Sequence, residues 1–449
     1  MGLFGTDGVR GLANKDLTAE LALDLSVAAA HVLADAGVFA GHRPRAIVGR
    51  DTRASGEFLE AAVVAGLASA GIDVTLVGAL PTPAVAFLTA HTDADLGVVL
   101  SASHNPMPDN GIKFFARGGH KLDDSLEAAI EARMREPWER PTGADVGRVI
   151  TDMEAGSVFV SHLLNTLPQG TPLAGLKVVV DCANGAASTV GPEALRRAGA
   201  EVIAIHAAPN GLNINEGCGS THIDDLRAAV VEHSADAGIA FDGDADRCLA
   251  IDANGQDVDG DHILGILAIA RSQSGTLVGN TVVSTVMANL GFNHAMKSAG
   301  IAVVATAVGD RYVLEEMRAN GYTLGGEQSG HVVMSEHGTT GDGILTALHL
   351  LHSVAQSGST LAALASVVEK MPQVLINVSG VDRDALAANE RIAAEVELLE
   401  SAMDGSGRIL LRPSGTEPVI RVMVEAESQV AAQRVAEQLA RIITHELAI

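Results

Sequence analysis

Five loops of this chain hold most of the residue types from which catalysis could be built. Ser101-Ala102-Ser103-His104-Asn105-Pro106 follows the apolar run Leu96-Gly97-Val98-Val99-Leu100, so a strand delivers a serine into a loop that the Asn-Pro step then breaks. Asp109-Asn110-Gly111 supplies a turn and Ile112-Lys113-Phe114-Phe115 restarts a strand, which predicts Ser103, His104 and Lys113 at one loop mouth. An unactivated serine is a weak nucleophile, so this hydroxyl needs a base, a metal or a phosphoryl group held by cations. Asp242-Gly243-Asp244-Ala245-Asp246-Arg247 offers the second ingredient. Three hard oxygen donors alternate with small residues, as Mg²⁺ or Ca²⁺ requires, and three like charges this close repel unless a cation neutralises them. An EF-hand would need Gly at the sixth position and Glu at the twelfth, where this chain has Arg247 and Ala253.

The remaining loops suit a phosphorylated ligand. Arg247 can hydrogen-bond a phosphoryl group held at the aspartates, which together make a phosphoryl-transfer centre. Arg412-Pro413-Ser414-Gly415-Thr416, followed by Arg421, brings backbone amides, two hydroxyls and two guanidinium forks to one turn, a cradle for a phosphate dianion. Gly326-Glu327-Gln328-Ser329-Gly330 sets a carboxylate, an amide and a hydroxyl where sugar hydroxyls could be read. The opening Phe4-Gly5-Thr6-Asp7-Gly8-Val9-Arg10-Gly11 is a fifth loop of the same composition. No Gly-Lys dipeptide and no Gly-x-Ser-x-Gly elbow occur, so neither a P-loop nor an α/β-hydrolase nucleophile is indicated.

The elements that must position these loops follow one grammar. Thr18 caps an apolar-periodic helix through Ala34 that Gly37 ends; Ala46–Arg50 is a strand, Ser55–Ala70 a helix, Val74–Val77 a strand and Pro83–Thr89 a short helix before Leu96–Leu100. The pattern returns in strand Leu176–Asp181, helix Gly191–Ala198, strand Val202–Ile205, helix Asp224–Glu232 and strand Ala237–Phe241, which delivers the aspartates. It returns again in helix Asp261–Arg271 and strands at Thr281–Val283, Ala302–Val304 and Tyr322–Leu324. Alternating strand and helix imply crossover connections. From Met371 the grammar changes to strand Val374–Val378, a long helix Arg383–Ala402, a hairpin around Arg412–Glu417 and a final helix Gln429–Leu447. The expected fold is three related α/β domains with mixed, mostly parallel sheets plus a small C-terminal α+β domain. Their expected spans are 1–152, 153–253, 254–370 and 371–449.

Composition limits the partners. A formal charge of −25 and only 3% aromatic residues argue against a nucleic-acid or anionic-membrane surface. Lys113 is one of six lysines, so an anionic ligand must be held by local cations. Cys182, Cys218 and Cys248 lack any Cys-x-x-Cys, and no signal-like segment opens the chain, so a soluble, cytoplasmic protein without disulfides is expected.

In order and spacing, Ser-Ala-Ser-His-Asn-Pro, Asp-Gly-Asp-Ala-Asp-Arg, Gly-Glu-Gln-Ser-Gly-His and Arg-Pro-Ser-Gly-Thr-Glu-Pro resemble the loops of the α-D-phosphohexomutases across essentially the whole chain. The opening loop and Gly309-Asp310-Arg311-Tyr312 are similar to the branch that acts on glucosamine phosphates; phosphomannomutases and phosphoglucomutases use the same machinery. The resemblance implies a four-domain, heart-shaped enzyme carrying a phosphoserine at Ser103, with Asp242, Asp244 and Asp246 binding Mg²⁺ together with a phosphoserine oxygen. It implies that Arg247 assists phosphoryl transfer and that Lys113, Arg10 and His104 serve proton transfer or charge stabilisation. Glu327 and Ser329 would contact sugar hydroxyls, and Arg412, Ser414, Gly415, Thr416 and Arg421 the phosphate that is not being transferred. The implied cofactors are Mg²⁺ and glucosamine 1,6-bisphosphate as activator and intermediate; the implied partner is a small-molecule sugar phosphate, in a monomer or homodimer. Some members of that branch carry a lysine where this chain has Ala307, so any contact from that side chain is missing here or comes from elsewhere.

Overall fold

A computed structural model describes residues 2–5, 7–39, 41–134, 136–414 and 418–449. The expected alternation of strand and helix is present. Leu96–Leu100 and Ala237–Phe241 are buried along their whole lengths, as strands covered on both faces must be. Gly97 shows how close that cover lies: a Cβ there would meet Thr89 Oγ1 at 2.3 Å, so helix Thr82–His91 rests directly on the sheet.

The chain forms two compact units, residues 1–287 with 300–367 and residues 288–299 with 368–449. The first holds three sheets. One runs in the order Val9–Leu12, Asp109–Ala116, Leu96–Leu100, Arg45–Arg50, Asp73–Ala79, Val149–Thr151, with His120–Lys121 paired to Asp109–Ala116. Helices Ala19–Asp35 and Ser55–Ser69 bury Leu25, Leu33, Leu59, Val63 and Leu67 in its core. Thr18 caps the first of these helices as expected, accepting a hydrogen bond from the Leu21 amide at 3.2 Å. The second sheet runs Asp257–Val258, Cys248–Asp252, Ala237–Phe241, Lys177–Asp181, Glu201–Ile205, and the third Ala302–Thr306, Thr281–Thr285, Leu324–Gly326, Val332–Met334.

All three sheets are mixed, and the mixture follows a rule. Strands joined through helices pair in parallel. Each of the loops bearing Ser103, the aspartates and Glu327 instead joins two antiparallel neighbours, Leu96–Leu100 to Asp109–Ala116, Ala237–Phe241 to Cys248–Asp252, and Leu324–Gly326 to Val332–Met334. An antiparallel pair needs only a short link, so each loop is anchored by a ladder on both sides.

The second unit is an antiparallel sheet, Gln373–Ser379, Val419–Ala426, Gly407–Pro413, whose core includes Val374, Ile420, Val422, Leu439 and Ile443. Helix Leu290–Ser298 belongs to it: Glu425, fully buried, accepts from the Leu290 amide at 3.0 Å and the Asn289 side chain at 3.1 Å.

Several boundaries differ from the sequence reading. The single helix expected over Arg383–Ala402 is a 3₁₀ turn, Arg383–Ala388, followed by an α-helix, Glu390–Met403. Asn389 makes the break by taking an extended conformation and capping the second helix through Ile392 N at 3.0 Å, a local bond that competes with continuing the helix. The strand expected at Tyr322–Leu324 is shifted to Leu324–Gly326, and the helix expected from Gly191 starts at Ala187 with Pro192 inside it. Helices Asp124–Arg133, Ala155–Asn165, Leu290–Ser298, Asp310–Asn320 and Gly343–Ser357 have no counterpart in that reading.

Replacing Gly97 by Ala is expected to cost about 1–3 kcal/mol, because the new methyl must displace Thr89 or lift its helix. Thermal denaturation of the variant checks this; an unchanged melting temperature would show that the helix does not need that close approach.

Candidate active site

The strand Leu96–Leu100 ends at a buried serine with an unusual backbone. Ser103 has φ +52°, a left-handed conformation that costs a non-glycine residue roughly 1–2 kcal/mol. Its hydroxyl donates to Asp242 Oδ2 at 2.5 Å and lies 3.4 Å from His104 Nδ1. The two loops therefore meet, although 139 residues separate their partners in the chain.

Asp242, Asp244 and Asp246 are all buried, with one carboxylate oxygen of each within 4.8 Å of the others. The turn that gathers them closes through Ala245 N to Asp242 O at 3.0 Å, with Ala245 also left-handed at φ +54°. Asp242 Oδ1 accepts from the Arg247 amide at 3.2 Å. Asp244 Oδ2 accepts from the Thr82 hydroxyl at 2.6 Å and from Lys113 at 2.8 Å. Asp244 Oδ1 and Asp246 Oδ1, both buried, accept no hydrogen bond. Unbonded carboxylate oxygens are expensive to bury, and two of them beside a third carboxylate match the donor set of a hard divalent cation. The residues present therefore fit Mg²⁺.

A second convergence, Asp181, His206 and Cys218, lacks this feature. Asp181 Oδ1 accepts from Ala183 N at 2.8 Å, and Oδ2 from Gly219 N at 2.9 Å and His206 Nδ1 at 3.0 Å, so that carboxylate is already saturated.

Cations surround the aspartates. Lys113, buried on its strand, lies 2.8 Å from Asp7 and 2.8 Å from Asp244, with Asp246 at 4.0 Å. Burial opposes its charge, but Asp244, Asp7 and Asp246 outweigh that and hold the ammonium above its ordinary range. Lys113 thus stays charged beside the aspartates. Asp7 also binds Lys121 at 2.7 Å and Arg10 at 2.6 Å, and Lys121 pairs with Asp310. His331 lies 3.7 Å from Asp246 on one side and 3.7 Å from Asp310 on the other. Burial works against its charge, yet Asp246, Asp310 and Glu327 push it up to about 9. His104 goes the other way: burial, then Arg247 and Arg10, push it down to about 4, which leaves a neutral ring beside Ser103. Burial, reinforced by Asp246 and Asp244, holds the Asp242 carboxyl well above its usual range.

Sequence reasoning placed Ser103, His104, Lys113, Arg10, the aspartates and Arg247 here, and the structure brings them together. It assigned no role to Asp7, Thr82, Lys121, Asp310 or His331. Asp7, Asp310 and His331 sit in stretches it had singled out, but nothing local shows that they face one another.

Glu327 and Ser329 occupy the turn between Leu324–Gly326 and Val332–Met334. Glu327 accepts from the Gly309 amide at 3.1 Å, and its charge acts on both Arg247 and His331. In the second unit Arg412 and Arg421 stand directly opposite each other in the hairpin register. Like charges in that position are destabilising without an anion. Ser414 is held there by its amide to Val419 O at 2.9 Å and by Arg383 to its carbonyl at 2.8 Å. Gly415 and Thr416 lie outside the described residues.

Comparison with known proteins covers the whole chain. Family models for phosphoglucomutase/phosphomannomutase match in four consecutive stretches: alpha/beta/alpha domain I over residues 1–140, domain II over 157–255, domain III over 259–371 and the C-terminal domain over 375–442. The chain is 63% identical over 447 residues to the phosphoglucosamine mutase of Thermobifida fusca (strain YX), covering 100% of this chain and 99% of that protein. The crystal structure of a putative phosphomannomutase from Thermus thermophilus matches with a TM-score of 0.79 and 26% identity, over 98% of each chain. Aspergillus fumigatus N-acetylphosphoglucosamine mutase, solved in complex with GlcNAc-6P and magnesium, matches in fold with a TM-score of 0.64 and 20% identity, over 98% of this chain and 94% of that one. Among the described residues no helix is long and apolar enough to cross a membrane.

The aspartates should respond unequally to neutralisation. In chelator, Asp242→Asn relieves repulsion among the carboxylates but leaves one acceptor oxygen where Asp242 uses two, for Ser103 and for the Arg247 amide, so the melting temperature should change little. Asp244→Asn deprives buried Lys113 of a partner and should destabilise by about 3 kcal/mol. Both should weaken Mg²⁺ binding by titration calorimetry. Equal shifts in the two melting curves would show that repulsion among the carboxylates does not govern the loop.

Proposed function

We propose that this chain, which belongs to the phosphoglucomutase/phosphomannomutase family, reversibly interconverts glucosamine 6-phosphate and glucosamine 1-phosphate. Family membership makes it an isomerase of the mutase kind. The observation that carries the proposal is the hydroxyl of Ser103, 2.5 Å from Asp242 within a buried acidic cluster that keeps two oxygens unbonded. The choice of an amino sugar rests on the 63% identical relative.

In this reading Ser103 carries a phosphoryl group between turnovers. A sugar hydroxyl attacks it; the bond from Ser103 Oγ to phosphorus breaks as the bond from sugar oxygen to phosphorus forms, and the hydroxyl proton passes to the serine oxygen. Neutral His104 Nδ1, 3.4 Å from that oxygen, relays the proton. The resulting glucosamine 1,6-bisphosphate turns round and returns its other phosphoryl group to Ser103. Phosphoryl transfer of this type depends mainly on positioning and charge neutralisation. Lys113 and Arg247 provide fixed positive charge at the aspartates. Mg²⁺, held by Asp242, Asp244 and Asp246 with a phosphoserine oxygen, would add further positive charge at the transferring group. Glu327 and Ser329 read the sugar hydroxyls. Arg412, Ser414 and Arg421, with Gly415 and Thr416, bind the phosphate that is not transferred. Each of the spans 1–152, 153–253, 254–370 and 371–449 supplies one of these loops, and the product feeds nucleotide-sugar synthesis.

A panel of hexose phosphates assayed in both directions, with a catalytic amount of the matching bisphosphate, tests the substrate. The highest kcat/KM is expected with glucosamine phosphates; preference for glucose or mannose phosphates would place the chain with the other mutases. Ser103→Ala should abolish turnover and remove one phosphoryl mass from the intact protein. Arg412→Ala should lower kcat/KM roughly ten- to a hundredfold in both directions, since a hydrogen bond to a charged group contributes about 1.5–3 kcal/mol. Slowing in one direction only would show that this turn does not serve both phosphates.

A further inference from the structure

A serine hydroxyl points where its backbone sends it, and the backbone of Ser103 is held on every side. Its amide donates to Ser101 Oγ at 2.9 Å, and Ser101 in turn donates to Asp51 Oδ2 at 2.7 Å. Its carbonyl accepts from Asn215 Nδ2 at 2.8 Å and from Arg53 Nη2 at 3.3 Å. The carbonyl of Asn105, two residues on, accepts from the same two groups, at 3.0 Å and 2.5 Å. Arg53 is fully buried and pairs with Asp51, which closes a ring from Asp51 through Ser101 and Ser103 back to Arg53. Burying an arginine is costly even when it is paired, and this one directs a nitrogen at two peptide carbonyls.

Asn215 reaches the same carbonyls from a separate stretch of chain, the loop that follows strand Glu201–Ile205 of the second sheet. Its amide donates to Ala183 O at 2.9 Å. That segment is tied to the residues around Arg53 by Ala54 N to Gly211 O at 2.9 Å and Thr52 Oγ1 to Asn184 O at 2.6 Å. The aspartate turn packs against the same groups: a Cβ on Gly243 would lie 2.6 Å from Ser103 O and 2.9 Å from Asn215 Nδ2. No side chain larger than hydrogen fits there, so the serine loop, the metal loop and Asn215 are in mutual contact.

We infer that Asn215 and Arg53 are positioning residues for the transfer reaction: a two-donor carbonyl clamp that holds Ser103 in its left-handed conformation and aims its hydroxyl at the aspartates. The inference rests on Ser103 being the phosphoryl carrier. Without the clamp the loop relaxes toward ordinary backbone angles and the oxygen swings off line. A displacement of about 1 Å at a reacting atom can cost on the order of a hundredfold in rate.

The test uses the full-length protein with Mg²⁺, phosphorylated by the bisphosphate and checked by intact mass. Asn215→Ala and Asn215→Asp are compared with wild type, Arg53→Lys and Ser103→Ala. Each carbonyl keeps its Arg53 partner in the Asn215 variants, so these are expected to fold, and they decide the matter if Arg53→Lys does not. Asn215→Asp keeps the size of the side chain but cannot donate, so it separates hydrogen bonding from shape. Expected are a kcat lowered roughly ten- to a hundredfold in both Asn215 variants, a KM within about twofold of wild type, and a matching loss in single-turnover transfer from phosphoserine to sugar phosphate. A purely structural role would lower the melting temperature and leave turnover per folded molecule unchanged. That result, or a raised KM with kcat intact, overturns the clamp. Activity in Ser103→Ala would instead overturn the mutase reading on which it rests.

Discussion

Three carboxylates gathered in the interior repel one another, and the loops of the first unit are arranged around that repulsion. At the separations found here each pair costs roughly 3–4 kcal/mol at an effective dielectric of about 20, more than an ordinary hydrogen bond returns. Lys113 offsets part of it, and is itself kept charged in a buried position by Asp7 and Asp244. Lys121 and Arg10 then balance Asp7, and His331 links Asp246 to Asp310. The alternation of charge extends outward from the aspartates through four different stretches of chain. What it leaves without a hydrogen bond is local: Asp244 Oδ1 and Asp246 Oδ1, the latter 3.9 Å from Arg247 Nε, at the place where a cation would supply charge.

The same constraint explains why the loops are braced so heavily. Ser103 and Ala245 both hold left-handed backbones, and neither is glycine. Such conformations persist when their surroundings over-determine them. Here antiparallel ladders flank each loop, Thr82 fixes Asp244 from a neighbouring helix, and glycines at 97 and 243 allow helix and loop to close to contact distance. The second unit is built on a different principle. Its sheet places Arg412 opposite Arg421, and its interior buries a carboxylate, Glu425, whose partners include Arg408 at 2.9 Å and the start of helix Leu290–Ser298. A stretch of chain far ahead of the rest of this unit in sequence is thereby an integral part of it.

The elements misjudged from sequence share a cause. Arg383–Ala402 reads as one helix because its composition favours helix throughout, and only the side chain of Asn389 turning back on its own helix divides it. Lys113, by contrast, is placed at the Ser103 loop by sequence alone, but its burial depends on carboxylates contributed from more than a hundred positions away.

Local chemistry was legible in the chain alone. The strands that end in loaded loops, the spacing of the aspartates, the serine ahead of Asn-Pro and the arginine-bearing hairpin are facts of neighbouring residues, and hydrophobic periodicity or turn chemistry registers them directly. Tertiary structure decided which of these groups face one another and which silent residues stand behind them. Ser103 meets Asp242 across 139 positions, Lys113 meets Asp244 across 131, and Asn215 reaches the carbonyl of Ser103 across 112. Hydrogen bonds and charge pairs act over a few ångströms in space, and the distance in sequence between their partners carries no trace of that nearness until the sheets have packed.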